Sequence, residues 1–195
     1  MKLTKQKLFR LIQEQMLHEA AKGIQDIPEG YHAVCMKMAG GFQISLDSED
    51  WGGGEEIGFI QFQKIPADKG KCSGGMGITM SNAKDGWGPF LYDLVMEKAT
   101  IESAGIIPDR SIVSPAARGV WEYYLNNRKG VVIRQLDNYP EPIITPEDPS
   151  DDCSQVSSQK HLKWDWQDSP LSKIYSKEPT TIEALKKLGK WTETK

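Results

Sequence analysis

Gly86-Trp87-Gly88-Pro89-Phe90-Leu91-Tyr92 follows a strand-like run over residues 77–81 and opens directly onto a helical pattern. Two glycines let the backbone approach an anion. Pro89 suits the first position of a helix, whose unpaired N–H groups and positive dipole end favour negative charge. Such a joint either holds a phosphate or serves as a tight strand-to-helix turn, and only the neighbouring units distinguish the two uses.

Downstream, Leu91, Leu94, Val95, Lys98 and Ala99 recur with the 3.6-residue period of a helix packing one face, ending near Gly105. Residues 106–113 read as a strand. Ser114-Pro115-Ala116-Ala117-Arg118-Gly119-Val120-Trp121-Glu122-Tyr123-Tyr124 reads as a helix with Ser114 as cap, Pro115 at its first position and an aromatic stripe. The β-branched run over 131–136 predicts another strand. The succession is therefore strand, glycine turn, helix, strand, helix, strand.

Over about residues 55–136 this succession resembles the GNAT acyltransferases, which use acetyl-CoA or another acyl-CoA. In that family a strand, a Gln/Arg-x-x-Gly-x-Gly/Ala loop and a helix hold the cofactor pyrophosphate. A later Asn/Ser-x-x-Ala-x-x-Leu/Val-Tyr helix flanks the pantetheine arm. Here Gly86-Trp87-Gly88 matches Gly-x-Gly, and Ser114, Ala117 and Val120 match the second motif in spacing. The resemblance implies an α/β (α+β) GNAT-like fold, a mixed, mostly antiparallel central sheet with flanking helices. It implies acetyl transfer to an amine and a cofactor site at Met80, Ser81, Lys84, Gly86, Trp87, Gly88, Pro89, Phe90 and Ser114. A splayed strand near Met80 and Ser81 would polarise the thioester carbonyl.

Two departures bear on catalysis. Ala83 stands where the loop's Gln or Arg is expected, leaving Lys84 to substitute. Trp121 stands where the family often has a tyrosine that protonates the departing thiolate, a role closed to an indole N–H. Tyr124, three residues on and near the same helix face, becomes the candidate acid. Glu56 (with Glu55 beside it) is the candidate base that keeps the amine neutral, against the simpler reading of a solvated strand end. The alternative function is a non-enzymatic interaction protein, phage- or virion-associated, that retains the scaffold.

Composition narrows the remaining classes. The 195 residues, 38% hydrophobic and 26% charged, suit one soluble domain with tails, and no run is long enough to span a membrane. The net charge of −3 argues against broad nucleic-acid binding. Cys35, Cys72 and Cys153 are odd in number and far apart, suggesting neither a disulfide framework nor a Cys-x-x-Cys metal site. With His18, His32 and His161 equally scattered, no metal site is assigned. No Gly-x-Ser-x-Gly elbow appears. The opening lacks the apolar core of a secretory signal, so the expected setting is cytoplasmic, or a host cytoplasm or virion if phage-encoded.

Three regions follow. Residues 1–24 read as an amphipathic helix with Leu8, Leu11, Ile12 and Leu17 near one face and Gly23 as its stop. This basic opening resembles those of many tailed-bacteriophage proteins, implying a virion or host protein partner. The resemblance implies a GNAT-like domain over residues 25–138, expected to begin with strands over 31–38, 42–46, 57–65 and 76–81. Trp51-Gly52-Gly53-Gly54 reads as a hairpin loop. The family's two helices between its first strands have no counterpart. Residues 139–195 read as an irregular extension rich in proline. Its acidic cluster, Glu147-Asp148 with Asp151-Asp152, reads as a solvated loop that could meet a cation or a basic acceptor. A short terminal helix is expected over 181–188, with Thr180 and Glu183 as a capping box and Gly189 as its stop.

Overall fold

The computed structural model describes residues 21–48, 56–109, 113–155 and 166–194. The helix expected over 1–24 lies outside them except for residues 21–24, and the Trp51-Gly52-Gly53-Gly54 loop and Glu55 lie outside them altogether. The described strands are β1 (Tyr31–Met38), β2 (Gly41–Ser48), β3 (Gly58–Lys64), β4 (Met76–Ala83), β5 (Ile106–Ile107), β6 (Val131–Gln135), β7 (Lys173–Lys177) and β8 (Trp191–Thr194). The helices are α1 (Gly88–Glu102), α2 (Pro115–Asn126) and α3 (Thr180–Lys187).

All eight strands join one mixed sheet in the order β6-β7-β5-β4-β3-β2-β1-β8. β1 through β4 pair antiparallel in sequence order, which is the β-rich first half expected from the alternating apolar runs. β4 and β5 are parallel, whereas β7 is antiparallel to both β5 and β6. β8 closes the far edge, parallel to β1. The fold class is thus α+β with a mixed sheet.

β5 is far shorter than the expected strand over 106–113. Pro108 follows it directly and has no N–H to offer a ladder, so pairing with β4 stops after Met76↔Ile106 and Gly77↔Ile107. Among the described residues, β4 continues to Ala83 paired only with β3, so its other edge has no strand partner there. A bulge lies within this segment: Gln61 faces Met80 and Phe62 faces Ile78, so Thr79 is the extra residue.

β7 corrects the expectation of an irregular extension over 139–195. Ile174 and Tyr175 are adjacent and both essentially fully buried, because β7 lies between β5 and β6 with both faces covered. These neighbours also divide the core. Tyr175 and Ile106 join the large cluster that includes Leu91, Leu94 and Trp121, while Ile174 and Ile107 join a smaller one with Leu136, Cys72 and Cys153. Successive strand residues face opposite sides, so the two clusters lie on opposite faces of the sheet.

Burial of α1 exceeds the one-face pattern expected, since every residue from 90 to 99 is buried, including Asp93, Glu97 and Lys98. The helix touches β2, β3, β4, β5 and β7, while α2 and α3 cover its remaining sides. Its charges are therefore paired. Lys98 Nζ lies 2.8 Å from both Glu102 Oε1 and Glu193 Oε1. Glu97 pairs with Lys177 and accepts the N–H groups of Thr181 (2.9 Å) and Ile182 (2.7 Å). The Thr180/Glu183 capping box is consequently replaced by a carboxylate from another helix, and Pro179 occupies the N-cap. Gly189 ends α3 as expected. Its φ of +68° lets Lys190 N–H reach Leu185 O and Gly189 N–H reach Lys186 O, a Schellman closure.

Cys72 and Cys153 form a disulfide across a sequence separation of 81, which corrects the expectation of no disulfide pairing. Spacing carried no sign of it because the two cysteines meet only through the tertiary fold. Cys35 remains a free, buried thiol.

Candidate functional site

The edge of β4 that lacks a partner among the described residues, the loop after it and the first turn of α1 follow one another in the chain. Beyond β4, Lys84 N–H donates to Ile57 O at 2.9 Å, and Trp87 N–H closes a turn onto Lys84 O at 3.1 Å. Gly86 takes φ +83° in this turn, a conformation that requires glycine there. Its carbonyl accepts Lys22 N–H at 3.0 Å, and the Lys22 ammonium stands 5.2 Å from the Trp87 ring centroid. Trp87 and Phe90 are buried edge-to-face at 5.7 Å and fix the entry to α1.

Gly88 is the first residue of α1 and Pro89 the second. First-turn N–H groups have no acceptor within their own helix, and a Cβ at Gly88 would meet nothing within 4 Å. Among the described residues, open space therefore adjoins a positive helix end. Met80, Ser81 and Lys84 are exposed on the β4 side, with Met80 and Ser81 just past the bulge. The structure brings these loop and strand residues together at one end of the sheet. Ser114 lies apart in role: its Oγ accepts Ala117 N–H at 3.1 Å as the N-cap of α2.

The aromatic stripe of α2 points into the large core. Trp121 is 1% exposed and packs against Tyr92 (5.0 Å), Tyr124 (5.9 Å) and Tyr175 (4.8 Å). Tyr124 is equally buried, and its hydroxyl lies 2.7 Å from Asp93 Oδ1 and 2.8 Å from the Pro89 carbonyl oxygen. Asp93 also pairs with Arg128 and stands 3.8 Å from Lys177 Nζ. Burial and the Asp93 carboxylate hold the Tyr124 phenol well above its usual pKa, which weakens it as an acid. Its evident work is to tie α2 to the first turn of α1.

Tyr92 is the phenol the sequence reading did not select. Its hydroxyl lies 3.4 Å from Ser81 Oγ, which places it beside the unpaired side of β4. Burial raises its pKa, with the Ser81 hydroxyl opposing and the Asp109 charge adding. Tyr92 lies in the Gly86–Tyr92 stretch, but one residue's facing on an all-buried helix cannot be read from periodicity. Glu56, just before β3, is exposed at the sheet end where Lys84 meets Ile57. Partial desolvation and the nearby Asp47 charge raise its carboxyl pKa, the direction a general base near neutral pH requires.

No family model, curated protein or solved structure matches the chain. Nor is any helix among the described residues long and apolar enough to cross a membrane.

Proposed function

We propose that the protein is an acyl-CoA-dependent N-acyltransferase of the GNAT type. The observation that carries this reading is the parallel β4–β5 pair that parts after Gly77, with a bulge at Thr79 and a glycine turn leading into α1. In this reading Gly88 and Phe90 N–H groups and the α1 dipole hold the pyrophosphate, with Lys84 and Lys22 adding positive charge. The acetyl group would lie along residues 78–81, where backbone donors freed from sheet pairing polarise the thioester carbonyl. A neutral amine attacks that carbonyl, Glu56 accepts the amine proton, and the thiolate leaves as the carbonyl re-forms. Tyr92, positioned at Ser81, fits the proton donor to that thiolate better than Tyr124 does.

Titrating the purified chain with acetyl-CoA and with desulfo-CoA tests the reading. Saturable binding of both supports it, while absence of binding removes it. The alternative, a virion-associated interaction protein on the same scaffold, is favoured by the Cys72–Cys153 disulfide. Such pairings persist on virion and cell surfaces and are rare in the reducing cytoplasm first expected for this chain.

A further inference from the structure

On the sheet face opposite the proposed cofactor site, the disulfide holds two segments side by side. Cys72 N–H donates to Asp152 O (2.8 Å), Ser73 N–H to Ser150 O (2.7 Å) and Ser154 N–H to Lys69 O (2.7 Å). Asp137, just past β6, bridges to Asp152 in parallel: Asp137 N–H reaches Asp151 O and Cys153 N–H reaches Asp137 O, each at 3.1 Å. This backbone gathers three carboxylates. One oxygen from each of Asp137, Asp151 and Asp152 lies within 4.8 Å of the others.

Two of the three have visible partners. Asp137 accepts N–H groups from Asn138 (2.6 Å), Ile143 (2.9 Å), Ile144 (2.9 Å) and Thr145 (2.7 Å), which folds the loop around it. Asp151 accepts the Thr145 hydroxyl at 3.1 Å. Asp152 is different: it is 9% exposed, and its Oδ1 is buried without a hydrogen-bond partner. An unpartnered carboxylate oxygen beside two like charges is a costly arrangement unless a cation completes it. Asp152 also borders a cavity of about 760 Å³ with Tyr139 and Ser150, which gives water access to the cluster. Lys71 and Arg134 line the same cavity but are exposed, and the Arg134 guanidinium donates to Ala104 O.

We infer that Asp137, Asp151 and Asp152 form a calcium-binding site. An all-oxygen carboxylate set selects hard cations over zinc or copper. One oxygen from each carboxylate lies within 4.8 Å of the others, close enough to share one cation, and calcium accepts an irregular shell of oxygens on an irregular loop where magnesium demands a near-ideal octahedron. Asp137 divides its lone pairs between loop and ion, so the affinity belongs in the weak range of extracellular modules, roughly 0.1–1 mM.

The test uses the full chain with its disulfide intact, stripped by a chelator, and follows thermal unfolding with added Ca2+ or Mg2+. Calcium should raise Tm by several degrees and magnesium should do little. Asp152→Asn should abolish the calcium shift while unfolding in chelator no earlier than the native chain, because a buried repulsion is relieved. Terbium luminescence of the unsubstituted chain, sensitised by Tyr139 and displaced by calcium, gives a readout independent of that variant. An unmoved Tm at about 10 mM Ca2+ together with no calcium-displaceable terbium signal overturns the site. An undiminished shift in Asp152→Asn does the same, and an equal response to Mg2+ overturns the choice of ion.

Discussion

Replacing Gly88 by valine separates cofactor binding from folding. A Cβ at Gly88 meets nothing within 4 Å, and its φ lies outside the left-handed region, so the folded chain accepts the side chain. The stability change should stay within about 0.5 kcal/mol, as for surface positions free of special geometry. The isopropyl group, however, fills the open space that a pyrophosphate needs to reach the first turn of α1. Loss of one hydrogen bond to a charged group removes about 1.5–3 kcal/mol, which weakens desulfo-CoA binding by roughly 10- to 150-fold. Calorimetric titration of the two chains measures the affinity ratio, and thermal unfolding verifies the fold. An affinity within about twofold of the native chain, in a Gly88→Val protein that melts normally, refutes the assignment of the loop.

Ser114→Ala should behave in the opposite way, losing about 1 kcal/mol with the α2 cap while CoA affinity is unchanged, since the hydroxyl is committed to Ala117 N–H. Glu97→Ala should cost about 3 kcal/mol in urea unfolding, because it leaves the buried Lys177 ammonium with only the longer 3.8 Å approach of Asp93 as counter-charge and uncaps α3. A loss under about 1 kcal/mol would show that the α3 N-terminus finds other acceptors. Thiol titration of the denatured, unreduced chain should find Cys35 alone, and prior reduction should release Cys72 and Cys153. In the native chain Cys35 should resist labelling, as burial pushes its thiol up to about 11. Reduction should destabilise the fold by about 4.5 kcal/mol on the loop-closure model. The pairing with Lys98 lowers the Glu193 carboxyl pKa, so its contribution is full above the unfolded carboxylate pKa and is lost as pH falls through the lowered value. Glu193→Gln should flatten the acid limb of a stability-versus-pH curve; an unchanged limb would place that dependence elsewhere.

Most local structure was legible in the sequence because its signals act over a few residues. Alternation and glycine turns located β1 to β4, with β1 at the expected bounds. Ser114-Pro115 started α2, and Gly86-Trp87-Gly88-Pro89 started α1 after a turn that only glycine at 86 allows. The gathering of Met80, Ser81, Lys84 and Gly88 at one sheet end followed from that chain order.

Partners distant in sequence were decided by the tertiary structure alone. Pro108 ended β5 early, so that among the described residues β4 loses its partner after Gly77, and β7 came from a proline-flanked segment to sit between β5 and β6. A central strand is buried on both faces, so Ile174-Tyr175 lacks the alternation that announces a half-buried one. Glu97 replaced a local capping box because a buried carboxylate needed donors and the start of α3 supplied them. Cys72 and Cys153 paired, Tyr92 reached Ser81, and Asp137, Asp151 and Asp152 converged, all through contacts that loop closure and sheet order create. Short-range propensity sets where helices and strands begin, but which buried charges meet depends on long-range packing that no local pattern encodes.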